Sequence, residues 1–118
     1  MQRFRKGVFF LAIVTVCSCT KDKLPVIDNT CEEEYTYTAE IKPIIDKSCA
    51  YTGCHVAGFG SGNHTTYNTL KPQLDNGRFK VRAIDVRTMP PLGVESSREL
   101  TDEDIEKLNC WAEAGYPE

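Results

Sequence analysis

Residues 41–55 read IKPIIDKSCAYTGCH. Ile41, Ile44 and Ile45 fall at i, i+3 and i+4, which places three branched apolar side chains on one helical stripe. Thr38 is positioned to cap that helix. Pro43 keeps its start close by, since a proline deep in a helix loses a backbone bond and clashes with the preceding turn. The stripe runs into Cys49, four further residues, then Cys54 and His55. Two thiols and an imidazole therefore gather at a helix end, with Gly53 free to turn the chain beneath a flat ligand.

Three chemistries fit Cys49, Cys54 and His55. Both sulfurs can form thioethers to the vinyl groups of a haem, with His55, held beside the second attachment point, reaching the iron as its proximal ligand. Zinc tolerates the spacing but needs a fourth ligand, for which His64 is available, and in an exported protein a thiolate site competes with disulfide formation. The plainest chemistry is a Cys49–Cys54 disulfide with His55 exposed.

Outward from this segment the pattern stays helical. A second, short helix is expected around residues 66–76, with Tyr67, Leu70 and Leu74 on one face and Gly77 ending it. Phe79, Val81, Ile84 and Val86 suit either a short helix or an extended segment. The last helix is the best signalled: Thr101 caps it, Asp102, Glu103 and Asp104 set negative charge against the positive end of its dipole, and Gly115 closes it. Leu100 and Ile105 stand at the positions of a hydrophobic staple. Ile105, Leu108, Trp111 and Ala112 make a stripe that must pack on something, most economically the face formed by Ile41, Ile44 and Ile45. The expected fold is all-α, with N- and C-terminal helices packed together, a short middle helix and long loops.

The chain has 118 residues, a net charge of −3 from 14 Lys+Arg and 17 Asp+Glu, and six cysteines. That is one small domain, without the basic excess that tracking phosphates requires, so nucleic acid is not an expected partner. Its many thiols imply an oxidising compartment or a bound cofactor. No Ser/His/Asp set, phosphate loop or carboxylate pair points to a hydrolase or kinase.

The amino-terminal residues address the compartment. Arg3, Arg5 and Lys6 precede a nine-residue apolar core, VFFLAIVTV over residues 8–16, which is too short to span a membrane but suits a secretory signal. Val16-Cys17-Ser18-Cys19 resembles a bacterial lipobox, with Cys19 the better acylation site because the small Ser18 precedes it. Cleavage before Cys19 removes 18 residues and three positive charges, leaving 100 residues and taking the net charge from −3 to −6. Residues 1–18 then form a lipoprotein signal peptide, 19–37 a tether with a short strand near Tyr35–Thr38, and 38–118 the domain. Lipid on Cys19 would hold the exported protein on a bacterial cell membrane, the outer membrane favoured, facing the periplasm or the cell surface.

Taken together, the I-x-P-I-I helix, the Cys…Cys-His site, R-T-M-P-P over residues 87–91 and the closing W-A-E-A-G-Y-P resemble a small monohaem cytochrome c domain. The likeness spans residues 41–117, about two-thirds of the chain. It implies haem c attached through Cys49 and Cys54, His55 as proximal ligand and Met89 as distal ligand. Pro90 and Pro91 stiffen the backbone that presents Met89. His64 is the rival distal ligand. The attachment site departs from the usual two-residue gap by holding four residues, so Tyr51 and Thr52 are expected to bulge outward, and attachment through Cys54 alone stays open.

In this reading Phe59, Tyr67, Leu70, Phe79 and Ile84 form the apolar pocket. Arg78, Arg82 and Arg87 are candidates for the propionates, a solvated face being the default for at least two of them. Cys31 precedes the first helix and Cys110 lies in the last, so packing those helices brings the two thiols together. A disulfide there closes a loop of nearly 80 residues and contributes roughly 4 kcal/mol on a chain-entropy argument. The expected function is non-enzymatic: an electron carrier passing single electrons to a redox protein partner, as a monomer or as a subunit of a larger redox complex. The alternatives are an open-iron haem enzyme or gas sensor, and a cofactor-free, disulfide-stapled lipoprotein binding domain.

Overall fold

The computed structural model describes residues 31–118. The expected signal peptide, the expected acylation site Cys19 and the expected tether as far as residue 30 lie outside the described residues. Three α-helices are present: α1 (Lys42–Ser48), α2 (Tyr67–Asp75) and α3 (Asp102–Glu113). Wide helical turns cover Tyr37–Ile41 and Lys80–Asp85, and a tight one covers Ser96–Arg98. No strand occurs among the described residues, so the fold is all-α. None of the described helices is long and apolar enough to cross a membrane.

The chain enters the domain earlier than its pattern indicates. The short strand expected near Tyr35–Thr38 is instead the start of helical structure, and the cap is Thr36, not Thr38. The hydroxyl of Thr36 accepts the backbone N–H of Ala39 at 3.4 Å, and Glu40 reaches back to accept the Thr36 N–H at 2.8 Å. The reciprocal acid sits four residues on because the first turn is wide: the N–H of Ile41 bonds the carbonyl of Thr36, five residues earlier, at 3.2 Å. This widened turn directly precedes Pro43, whose missing N–H a regular helix could not accommodate so far from its start. Tyr37, one residue before the expected domain boundary, is buried in the core.

Both other helices are capped by their own side chains. Thr66 and Thr69 bond each other's backbone N–H at the start of α2, each at 3.2 Å, and Thr101 and Asp104 do the same for α3 at 2.9 and 3.1 Å. Helix α2 carries Pro72 inside it. The segment from Phe79 to Val86, open between helix and strand in the sequence, is the wide turn Lys80–Asp85, with Ala83 and Ile84 buried.

Helix α3 ends on Gly115, at φ +83°. The Gly115 N–H bonds the Ala112 carbonyl at 3.1 Å, and the Tyr116 N–H bonds the Trp111 carbonyl at 2.9 Å. This is a Schellman closure with its hydrophobic contact, since the Tyr116 and Trp111 rings meet edge-on at 4.9 Å.

Trp111 is fully buried and organises the core. Around it lie Tyr37, Ile41, Ile44, Ile45, Leu70, Leu74, Phe79 and Leu108. The expected packing of the two terminal helices is realised chiefly through the Tyr37–Ile41 turn, which lies against α3, as does the Lys80–Asp85 turn. Lys47 at the end of α1 and Asp104 at the start of α3 add an ion pair at 2.6 Å. Cys31 and Cys110 form a disulfide, with Cα atoms 5.4 Å apart across a sequence separation of 79. The Lys47–Asp104 pair ties the far end of α1 to α3, and the site is built from that end.

Candidate cofactor site

Helix α1 runs out at Ser48, and its last carbonyls direct the next residues. The N–H groups of Cys49 and Ala50 both bond the Ile45 carbonyl, each at 2.8 Å. The His55 N–H returns to the Cys49 carbonyl at 3.1 Å, closing the loop that carries both thiols. Cys49 is buried, Cys54 is partly exposed, and neither is in a disulfide. Burial, helped by the neighbouring Cys54 and opposed by Lys47, pushes the Cys49 thiol up to about 12. It is held as a protonated thiol, chemically quiet until an electrophile is placed against it.

Within the four-residue gap the side chains divide. Thr52 faces solvent, as expected, but Tyr51, expected to bulge outward with it, turns in and is half-buried. The reason lies far along the chain: the Arg98 guanidinium sits over the Tyr51 ring, 4.0 Å from its centroid, and donates to the Lys47 carbonyl at 3.2 Å. Arg98 thus ties the thiol-bearing loop to the end of α1.

The segment after His55 folds back over it. Gly62, at φ +95°, makes the reversal that an L side chain would strain. The His64 N–H bonds the His55 carbonyl at 2.9 Å, and the Ser61 hydroxyl bonds the Cys54 carbonyl at 3.0 Å. His55 Nδ1 faces the Ser61 carbonyl at 3.0 Å. A carbonyl can only accept, so the ring proton belongs on Nδ1 and the Nε2 lone pair is left available to a metal. His64 is buried, and its ring lies parallel to that of His55, 3.9 Å between centroids and 6° between planes. Burial above all, with His55 beside it, lowers the His64 pKa to about 4, so this imidazole stays neutral.

Met89 arrives from the opposite side of the sequence. Arg87 takes a left-handed conformation, φ +53°, and turns the chain. The N–H groups of Thr88 and Met89 then both bond the Arg82 carbonyl, at 2.8 and 3.1 Å. The residue is presented from a loop pinned to the Lys80–Asp85 turn.

One cavity of about 240 Å³ collects these groups. Cys49, Cys54, His55 and Met89 all line it, together with His64, Arg78 and Arg82. Phe79, Ala83, Pro90 and Pro91 supply apolar wall. Of the aromatic and aliphatic residues expected there, only Phe79 is in place: Leu70 and Ile84 belong to the core, Tyr67 packs beside it, and Phe59 is 50% exposed on the glycine-rich loop. Arg87 does not line the cavity, which leaves Arg78 and Arg82. Sequence reasoning missed Tyr51, Ser61 and Arg98. No local pattern marks Arg98, and none around Ser61 tells what its loop covers.

Among the described residues no three His, Cys, Asp or Glu side chains are grouped closely enough to hold a metal ion. A haem brings its own equatorial nitrogens and asks the protein for axial donors and thiols. Around this one cavity stand two free thiols, an imidazole with Nε2 unblocked and a thioether. Its wall also holds polar atoms without protein partners, the Ser48 hydroxyl and both His64 ring nitrogens, as a wall that meets a further group would. The chain matches no family model, no curated protein and no solved structure.

Proposed function

We propose that the cavity holds a haem c and that the chain is a membrane-anchored, c-type cytochrome carrying single electrons. The observation that supports this reading most is that Cys49, Cys54 and His55 from one loop and Met89 from another, distant in sequence, line the same cavity. The cofactor, when bound, supplies one reversible oxidation and reduction at iron.

The chain's own residues do the rest. Cys49 and Cys54 would hold the cofactor through thioethers, and His55 Nε2 and the Met89 sulfur would be its iron ligands. Arg78 and Arg82 are at hand for the propionates. Phe79, Ala83, Pro90 and Pro91 keep water from that face, which together with a thioether ligand favours the less charged, reduced state. Should His55 and Met89 both hold the iron, no position would be left for a substrate, and this favours electron transfer over an open-iron enzyme or gas sensor. The free thiols of Cys49 and Cys54 support it over a cofactor-free, disulfide-stapled binding domain.

Export and acylation at Cys19 belong to the same reading. Tethering would raise the effective concentration of a redox partner on the same membrane. The test is haem staining on a denaturing gel after expression with a cytochrome maturation system, together with the intact mass. Stain at the mobility of the chain and a mass raised by one haem are expected. A mass equal to amino acids and lipid alone, or a peptide linking Cys49 to Cys54, overturns the reading.

A further inference from the structure

His64 was weighed above as a rival iron ligand, and its place in the fold points elsewhere. A distal ligand approaches iron from the side of the flat cofactor opposite His55. His64 instead lies flat against His55 itself, with ring planes 6° apart and centroids 3.9 Å apart. The His64 backbone N–H is bonded to the His55 carbonyl at 2.9 Å, so the two residues are held together by backbone as well as by ring.

His55 needs such support. The torsion that sets an imidazole plane is broad, with no sharp staggered well. The contact from Nδ1 to the Ser61 carbonyl, 3.0 Å, is a single exposed hydrogen bond that does not by itself keep the ring from turning away from Ser61. A second flat ring against its face removes the remaining freedom. His64 is well placed for this: it is 7% exposed, walled in, and anchored by packing rather than by side-chain hydrogen bonds, since neither of its nitrogens has a partner.

We propose that His64 is a positioning residue whose ring fixes the plane of the His55 imidazole and holds Nε2 aimed into the cavity, rather than a ligand in its own right. This rests on the haem reading for its purpose, though the geometry it concerns belongs to the chain alone.

The test compares His64→Phe, which keeps a flat ring and removes both nitrogens, with His64→Leu, which removes the ring. In the chain free of cofactor, ¹⁵N shifts of the His55 ring report its tautomer. A single Nδ1–H form is expected in the wild type and in His64→Phe, and a mixture in His64→Leu. In the loaded, oxidised protein the anisotropy of the low-spin electron paramagnetic signal reports the imidazole plane. It is expected to hold in His64→Phe and shift in His64→Leu. Wild-type tautomer and anisotropy in His64→Leu overturn the proposal, as does loss of the low-spin state in His64→Phe, which would make His64 a ligand. Unchanged Trp111 fluorescence in both variants shows that they are folded. If no haem attaches, the haem reading fails by its own test while the tautomer comparison still decides the role of His64.

Discussion

The indole N–H of Trp111 donates to the Pro117 carbonyl at 2.8 Å, and the same oxygen accepts the backbone N–H of Tyr37 at 3.0 Å. The last residues of the chain therefore complete the core, joining the ring at its centre to the first helical turn. Trp111→Phe leaves a smaller ring without the donor and is expected to cost about 2 kcal/mol. Trp111→Ala, which opens a cavity, is expected to cost about 3–5 kcal/mol. Urea denaturation followed by circular dichroism reads both values.

Breaking the Cys31–Cys110 bond frees a loop spanning a sequence separation of 79. Replacing both cysteines with Ser is expected to remove roughly 4 kcal/mol and to lower Tm by roughly 20 °C. Calorimetry of the double variant against the oxidised wild type checks this.

Asp104 is drawn two ways. Burial alone would raise its pKa, but hydrogen bonds from Lys47 and Thr101, with the charge of Lys47, outweigh burial and hold it below the ordinary 3.8. Because the folded value is the lower one, its contribution is complete above pH 3.8 and is lost as pH falls through the folded value. Asp104→Asn is expected to flatten the acid limb of the stability profile and to cost about 1 kcal/mol at neutral pH through the weakened cap and ion pair. Denaturant midpoints collected across the acid range measure both.

Cys49 and Cys54 should differ in reactivity in the folded, cofactor-free chain. Cys49 is buried, with its thiol pushed up to about 12, so alkylation at neutral pH is expected to mark Cys54 first. Cys49 is expected to react more than about a hundredfold more slowly in the folded chain than in urea. Peptide mass spectrometry over a time course gives the two rates. Equal rates in folded and unfolded chain would remove Cys49 from the cavity wall.

On the haem reading, Met89→Ala keeps the covalent cofactor but loses the weak far-red band that a thioether ligand gives to oxidised iron. Carbon monoxide is then expected to bind the reduced variant rapidly and the wild type slowly. Absorption spectra and stopped-flow traces of the two proteins make the comparison, and a retained far-red band would hand the distal role to another residue.

What the sequence discloses about this fold is what short-range physics controls. Helix α3 is legible from end to end because Thr101, Asp104 and Gly115 act within a few residues of their own positions. The entry to α1 misleads for a physical reason: the wide turn before Pro43 shifts the cap to Thr36 and the reciprocal acid to Glu40, a spacing that regular helix patterns do not contain. The cavity donors stand out by residue type, since thiols beside an imidazole and a methionine before two prolines are conspicuous in any small chain. Their supports do not stand out. Arg98 reaches Tyr51 only because the Ser96–Arg98 turn lies against α1, and Phe59 is turned to solvent by a loop whose glycines permit many courses. These are contacts of tertiary packing, which no local pattern encodes.

The position of the disulfide bears on how the domain would respond to being pulled. Tension applied upstream of residue 31 passes at once through a covalent link into the middle of α3, in the most deeply packed part of the protein. Residues 32–36 become a slack branch, and α1 with its thiol-bearing loop is shielded from the load. Load entering at residue 31 thus bypasses the loop that carries Cys49, Cys54 and His55.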